Sequence, residues 1–176
     1  HSVSHLHMPK ASTNSIQQEL EIANQRFEKE LGAKPKLFAY PFGETSLAVQ
    51  KMIKSAPFIG VFGQHSGVID RTSDFTYLPR FALNEKFGGI NRFRILANAI
   101  SIPIQDMTPN DPLIGDNNPP AIGFTISGEL ANPKADLSRL SCFLNHESQR
   151  ADMSKLGPRI EIRSKKPMPI GRTRLN

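Results

Sequence analysis

The sequence predicts a mixed α/β chain in which short parallel strands alternate with amphipathic helices, followed by a small β-rich C-terminal segment. Three observations lead there. An apolar stripe runs at helical spacing through residues 14–31; two short apolar runs follow it, each stopping at a Pro or Gly turn, with a helix between them; and beyond a proline- and asparagine-rich stretch at 108–120 no helical stripe recurs. Strand and helix alternating at this interval is the pattern of βα units around a parallel sheet.

Ile16, Leu20, Ala23, Phe27 and Leu31 recur at spacings of three and four, so a helix from Asn14 to Leu31 has one apolar face. Asn14 or Ser15 can cap its start, and Gly32 suits its end, where a left-handed residue commonly terminates a helix. Lys36 to Tyr40 reads as a buried strand that stops at Pro41, because proline cannot donate to a sheet ladder. Thr45 or Ser46 caps a second helix reaching about Lys54. Phe58 to Phe62 is a second strand, running into the loop Gly63-Gln64-His65-Ser66-Gly67. Tyr77 to Phe81 reads as a further strand and Ile90 to Ala99 as a third helix. Thr108 to Pro120 has the composition of a linker. The expected organisation is therefore a first domain at 1–107, a linker at 108–120 and a β-rich appendage at 121–176. Within the appendage, Ala121 to Ile126, Leu137 to Leu144 and Arg159 to Arg163 read as strands.

Composition narrows the function classes. The chain has 176 residues, 38% hydrophobic and 22% charged, which suits one globular domain with a small addition. Its longest apolar runs are too short to span a membrane. The single cysteine, Cys142, excludes a disulfide framework or thiolate cluster made by this chain alone. The net charge of +6 is C-terminal: residues before 133 carry 12 basic and 12 acidic side chains, and residues 133–176 carry 10 basic against four acidic. Such a segment can meet anionic glycan, nucleic acid or a membrane surface. No nucleic-acid motif accompanies it, so nucleic acid is not an expected partner and a solvated strand face is the simpler reading.

Two groups of residues carry chemistry. His1-Ser2-Val3-Ser4-His5 places imidazoles at i and i+4, which on a helical turn face one side and can share a metal ion; His7 would then point elsewhere. Some 35 residues later, Phe38-Ala39-Tyr40-Pro41-Phe42-Gly43-Glu44 closes a strand at the end where parallel α/β folds place their sites. An H-[ST]-x-x-H motif, one amphipathic helix and a strand ending in an aromatic-Pro-aromatic-Gly turn, in this order, resemble the second and third motifs of the polysaccharide deacetylases, the NodB-homology family. Phe62-Gly63-Gln64-His65-Ser66-Gly67 and Leu78-Pro79-Arg80-Phe81 are similar to the continuation of a bacterial branch of that family. The resemblance spans roughly residues 1–105.

It implies a partial, distorted (β/α) barrel and metal-dependent removal of N-acetyl groups from a glucosamine-type polysaccharide. By the same resemblance, His1 and His5 are ligands to Zn²⁺ or another divalent metal, the backbone N–H of Phe42 helps to bind the oxyanion, and Tyr40 and Phe42 line the sugar groove. The chain also departs from the family. No Asp-Asp pair is present to supply the general base and third ligand, and no tryptophan marks a fourth motif. Ala39 replaces an arginine at the head of the third motif, so Arg80 is the candidate to supply that charge. Leu144-Asn145-His146 is the one textual match to the Leu-x-His motif, which makes His146 the candidate general acid.

These departures imply a C-terminal part of a deacetylase, inactive alone, whose partner is the missing N-terminal segment, in the periplasm, cell envelope or medium. Alternatives are a carbohydrate-binding module with a basic face for anionic glycan, and a copper site built on a mature N-terminal His1. Cys142 falls on the more apolar face of its strand, as a buried small hydrophobe or as the partner of a cysteine beyond Asn176.

Overall fold

The computed structural model describes residues 1–131, 137–138 and 140–175, and the chain divides into two compact units, His1–Ser101 and Ile102–Asn176. The division corrects the expected boundary at 107. The linker-like stretch 108–120 is a long connection inside the second unit, because the strand before it already pairs within that unit's sheet.

In the first unit, helix α1 (Thr13–Leu31) starts at Ser12, whose hydroxyl accepts from the Ser15 amide, and ends at Gly32 with φ 73°. Strand β1 (Leu37–Ala39) leads through the turn Pro41–Gly43 into helix α2 (Leu47–Lys54), capped by Ser46, and then to strand β2 (Gly60–Phe62). The strands pair in parallel with Phe38 opposite Val61, as the βα pattern predicts. The third expected strand contributes a single parallel bridge, Leu78 to Phe62. The described residues thus carry a mixed α/β unit with a two-stranded parallel sheet, and the implied barrel is not seen among them.

Met8, Ile16, Phe38, Tyr40, Val49, Ile53 and Val61 form the core of this unit. The α1 stripe is covered only in its first half: Ile16 is buried and Leu20 packs against the core, while Phe27 is 42% and Leu31 71% exposed. Helix α3 (Ile90–Ala97) buries no residue.

The second unit is an antiparallel sheet in the order β3 (Ile104–Thr108), β4 (Ile122–Ile126), β6 (Arg159–Arg163), β5 (Asp152–Leu156). Strands β5 and β6 form a hairpin through Gly157-Pro158, with Gly157 at φ 62°, as the first position of a type II′ turn requires. Ile122, Ile126, Ile160 and Ile162 lie in its core with Cys142, Leu144 and Ala151. On the polar face, the Arg159 guanidinium crosses over Gly123 to bond Thr108 Oγ1 at 2.8 Å, while its Nε bonds Glu161 at 2.7 Å. Arg163 pairs with the same carboxylate at 3.0 Å, and these arginines hold the Glu161 carboxyl below its ordinary range. Two of the segment's basic side chains thus share one carboxylate and Lys165 pairs with Asp152 at 3.4 Å, so the segment keeps its net positive charge, while Lys134 and Arg139 lie outside the described residues. Asn118 reaches Met168 with both ends of its amide, donating to the carbonyl at 2.9 Å and accepting from the N–H at 2.7 Å.

Among the described residues, Leu137 to Leu144, expected as a strand, makes only the bridges Phe143 to Arg150 and Leu144 to Leu175, because Leu137 and Leu140 close a turn instead of extending. The alternation still holds: Cys142 and Leu144 are buried and Phe143 is exposed. Cys142 Sγ lies 3.9 Å from Met153 Sδ, and burial pushes its thiol up. No helix is long and apolar enough to cross a membrane among the described residues.

Candidate active site

The site is built on the turn at the end of β1. The Gly43 N–H donates to the Tyr40 carbonyl at 2.9 Å, closing a four-residue turn with Pro41 second and a left-handed residue third. That third position normally belongs to glycine. Here it is Phe42, at φ 57° and ψ 0°. Such a conformation costs on the order of 1–3 kcal/mol and persists where the surroundings over-determine it. Several contacts do so. The Phe42 ring meets the His5 edge at 4.2 Å and stacks on His7 at 4.2 Å and 8°. The Tyr77 hydroxyl donates to the Gly43 carbonyl at 3.3 Å, and a Cβ on Gly43 would stand 2.4 Å from that of Gln64, so the turn sits hard against the loop after β2.

Residues 1–5 are not the helical turn expected of an H-x-x-x-H pair; His5 itself has φ 58°. Helical geometry fails here because the segment is fixed by long-range and side-chain bonds: the Ser4 amide donates to Glu19 Oε2 at 2.7 Å, and Leu6 N–H to Ser2 Oγ at 3.1 Å. The Ser4 bond draws the Glu19 carboxyl below its ordinary value. The rings of His1 and His5 nevertheless come together, edge to face at 4.9 Å. His7, expected to point away, lies in the same cluster, with Nδ1 2.7 Å from Glu44 Oε2.

Two adjacent imidazoles suit a zinc-type ion in kind, but a catalytic zinc takes three protein ligands. Among the described residues no group of three His, Cys, Asp or Glu side chains could hold a metal. His1 and His5 therefore fit a divalent metal in kind and fall short in number.

Tyr40 is not a groove residue. It is fully buried, its ring packs on Phe38 and Tyr77, its hydroxyl donates to the Thr76 carbonyl at 3.0 Å, and burial pushes its pKa up to about 12. Its place two residues after Phe38 on the same strand face explains the misreading: that face is core. Arg80 donates through Nε to the Gly63 carbonyl at 2.8 Å, so it braces the loop after β2. His146 belongs to the second unit, 10% exposed in its side chain, with Nε2 3.4 Å from Ser164 Oγ and 3.6 Å from Glu147 Oε1. Ser164 donates to Glu147 at 2.7 Å, so this trio lacks the order of a catalytic triad, in which histidine links serine and acid through different nitrogens. Of the expected site residues, the first unit brings His1, His5 and Phe42 together. Sequence reasoning missed His7 and Glu44. Pro9, two residues after His7, was the available sign that this segment is not a helix.

The polysaccharide deacetylase family model matches residues 1–61, from the histidine segment into β2. A crystal structure from Bacillus anthracis, of a protein assigned to the polysaccharide deacetylases, is similar at 22% identity and a TM-score of 0.41, over 46% of this chain and 25% of that one. The chain thus spans about a quarter of that protein's length. No curated protein matches. Residues 1–61, which hold the histidine pair and the Phe42 turn, are thus similar to the polysaccharide deacetylase family.

Proposed function

We propose that this chain contributes the second- and third-motif part of a metal-dependent deacetylase acting on an acetylated amino-sugar polysaccharide. The observation that carries the reading is the convergence of His1, His5 and the left-handed Phe42 at one strand end, within the residues that match the family. His1 and His5 supply two ligands to Zn²⁺ or a similar ion, and Phe42 supplies a backbone N–H to the carbonyl oxygen that becomes anionic during amide hydrolysis. A metal held there would supply Lewis-acid polarisation of that carbonyl. The third ligand and the general base come from an Asp-Asp-bearing segment outside this sequence, and the setting is the periplasm, cell envelope or medium, where such a polymer lies.

The test has two arms. Zn²⁺ titration of residues 1–176 is expected to show weak binding that His5→Ala abolishes. Acetate release from acetylated glucosamine oligomers is expected to be absent for this chain and restored when the Asp-Asp-bearing segment is added, since general-base assistance typically contributes 10²–10⁴-fold. Tight binding indifferent to His5→Ala, or robust deacetylation by residues 1–176 alone, overturns the reading.

A further inference from the structure

The His7 and Glu44 side chains are 37 positions apart in the chain, yet His7 Nδ1 stands 2.7 Å from Glu44 Oε2. A carboxylate oxygen only accepts, so the imidazole donates through Nδ1 and its ring orientation is fixed by that bond. With the ring so oriented, its face lies flat on Phe42 at 8°, while His5 meets the same ring edge-on. Glu44 is itself anchored to the turn, its N–H donating to the Pro41 carbonyl at 3.0 Å. The contacts therefore form a closed circuit: turn backbone, Glu44, His7, Phe42 ring, His5.

We infer that His7 and Glu44 are positioning residues, a latch that holds the histidine segment against the β1 turn and keeps Phe42 left-handed. Geometry favours this over a passive surface contact. The turn has a non-glycine residue where glycine is the norm, and the bonds that close it, Gly43 to Tyr40 and Glu44 to Pro41, are local ones that a glycine would serve as well. The ring contacts of Phe42 are what a glycine lacks, and His7 supplies the stacked one. The Glu44 side chain is 22% and that of His7 54% exposed, so the bond is open to water on the His7 side and acts through the orientation it imposes on the ring rather than through burial. The latch rests on the proposed deacetylase site for its purpose, since it sets the His5 imidazole and the Phe42 N–H in one frame, but its existence is measurable without catalysis.

The test is solution NMR on the isotope-labelled chain with no metal or substrate added. In the unaltered chain, the His5 ring protons are expected upfield, shielded by the Phe42 ring, and the Phe42 amide is expected to show the coupling of a positive φ. His7→Ala is expected to abolish both signatures while the amide shifts of Leu37–Ala39 and Gly60–Phe62 stay in place. Glu44→Leu is expected to do the same, and Glu44→Gln, which keeps an acceptor oxygen, to restore them. If His7→Ala fails to fold, the Glu44→Leu and Glu44→Gln pair decides alone. Survival of both signatures in folded Glu44→Leu overturns the latch. Failure of acetate release leaves these signatures intact, so the deacetylase reading and the latch fall separately.

Discussion

The two units solve the same problem in opposite ways. The second unit has strands of five residues in one antiparallel sheet, isoleucines on the buried face and arginines paired to Glu161 on the other. Its side-chain alternation, hairpin turn and charge pairing all point to one structure. The first unit has strands of three residues, a helix that buries nothing and an α1 stripe that runs into solvent. It spends its order elsewhere: residues 5, 7, 42 and 44 meet at one strand end around a residue in a conformation it disfavours. Agreement across levels marks scaffold, and its local failure marks the site.

The comparison can be broken first in the scaffold. Ile162 has no exposed surface. Ile162→Ala is expected to cost about 2–5 kcal/mol and to open the neighbouring Cys142 thiol to modification, read by a urea titration with a thiol reagent. An unchanged midpoint with Cys142 still protected would show that the isoleucine face is not what holds the second unit.

In the site unit, Gly43→Ala puts a Cβ into the space of Gln64 at φ 71°, and a loss of roughly 1–3 kcal/mol in thermal unfolding is expected. A neutral result would mean that the turn is not fixed by the loop after β2. The smallest effect sharpens the contrast: Leu31→Gln at the exposed end of α1 is expected to change stability by less than about 0.5 kcal/mol. A loss of core size there would show that the stripe is covered in solution.

The helices and the parallel pair were legible because their signals are local. Helical spacing, a Ser cap, Gly32 and Pro41 each act within a few residues. The strands β3 and β5 were not, since Ile104–Thr108 and Asp152–Leu156 are edge strands with little buried surface and no alternation to betray them. A linker composition at 108–120 then hid the first of them behind a false boundary. In the candidate site, the grouping of His1, His5 and Phe42 was legible through motif and order. His7 and Glu44 were not, because a pair 37 residues apart leaves no periodic trace. Tyr40 was misread for a further reason: an aromatic residue at a strand end looks the same in sequence whether its ring faces a groove or the core.

The Asn118 bridge to Met168 carries a consequence for chemical ageing. An asparagine side chain is usually lost when the peptide nitrogen of the next residue attacks its carbonyl carbon to form a cyclic imide, which opens to aspartate. Aspartate at 118 would set a carboxylate oxygen against the Met168 carbonyl where the amide now donates, and the loop would lose one of its two bonds there. The next residue is Pro119, which has no N–H to lose. The ring closure that would unfasten this loop is therefore blocked by the residue that follows it, and the bridge should outlast other exposed asparagines in a stored or long-lived sample.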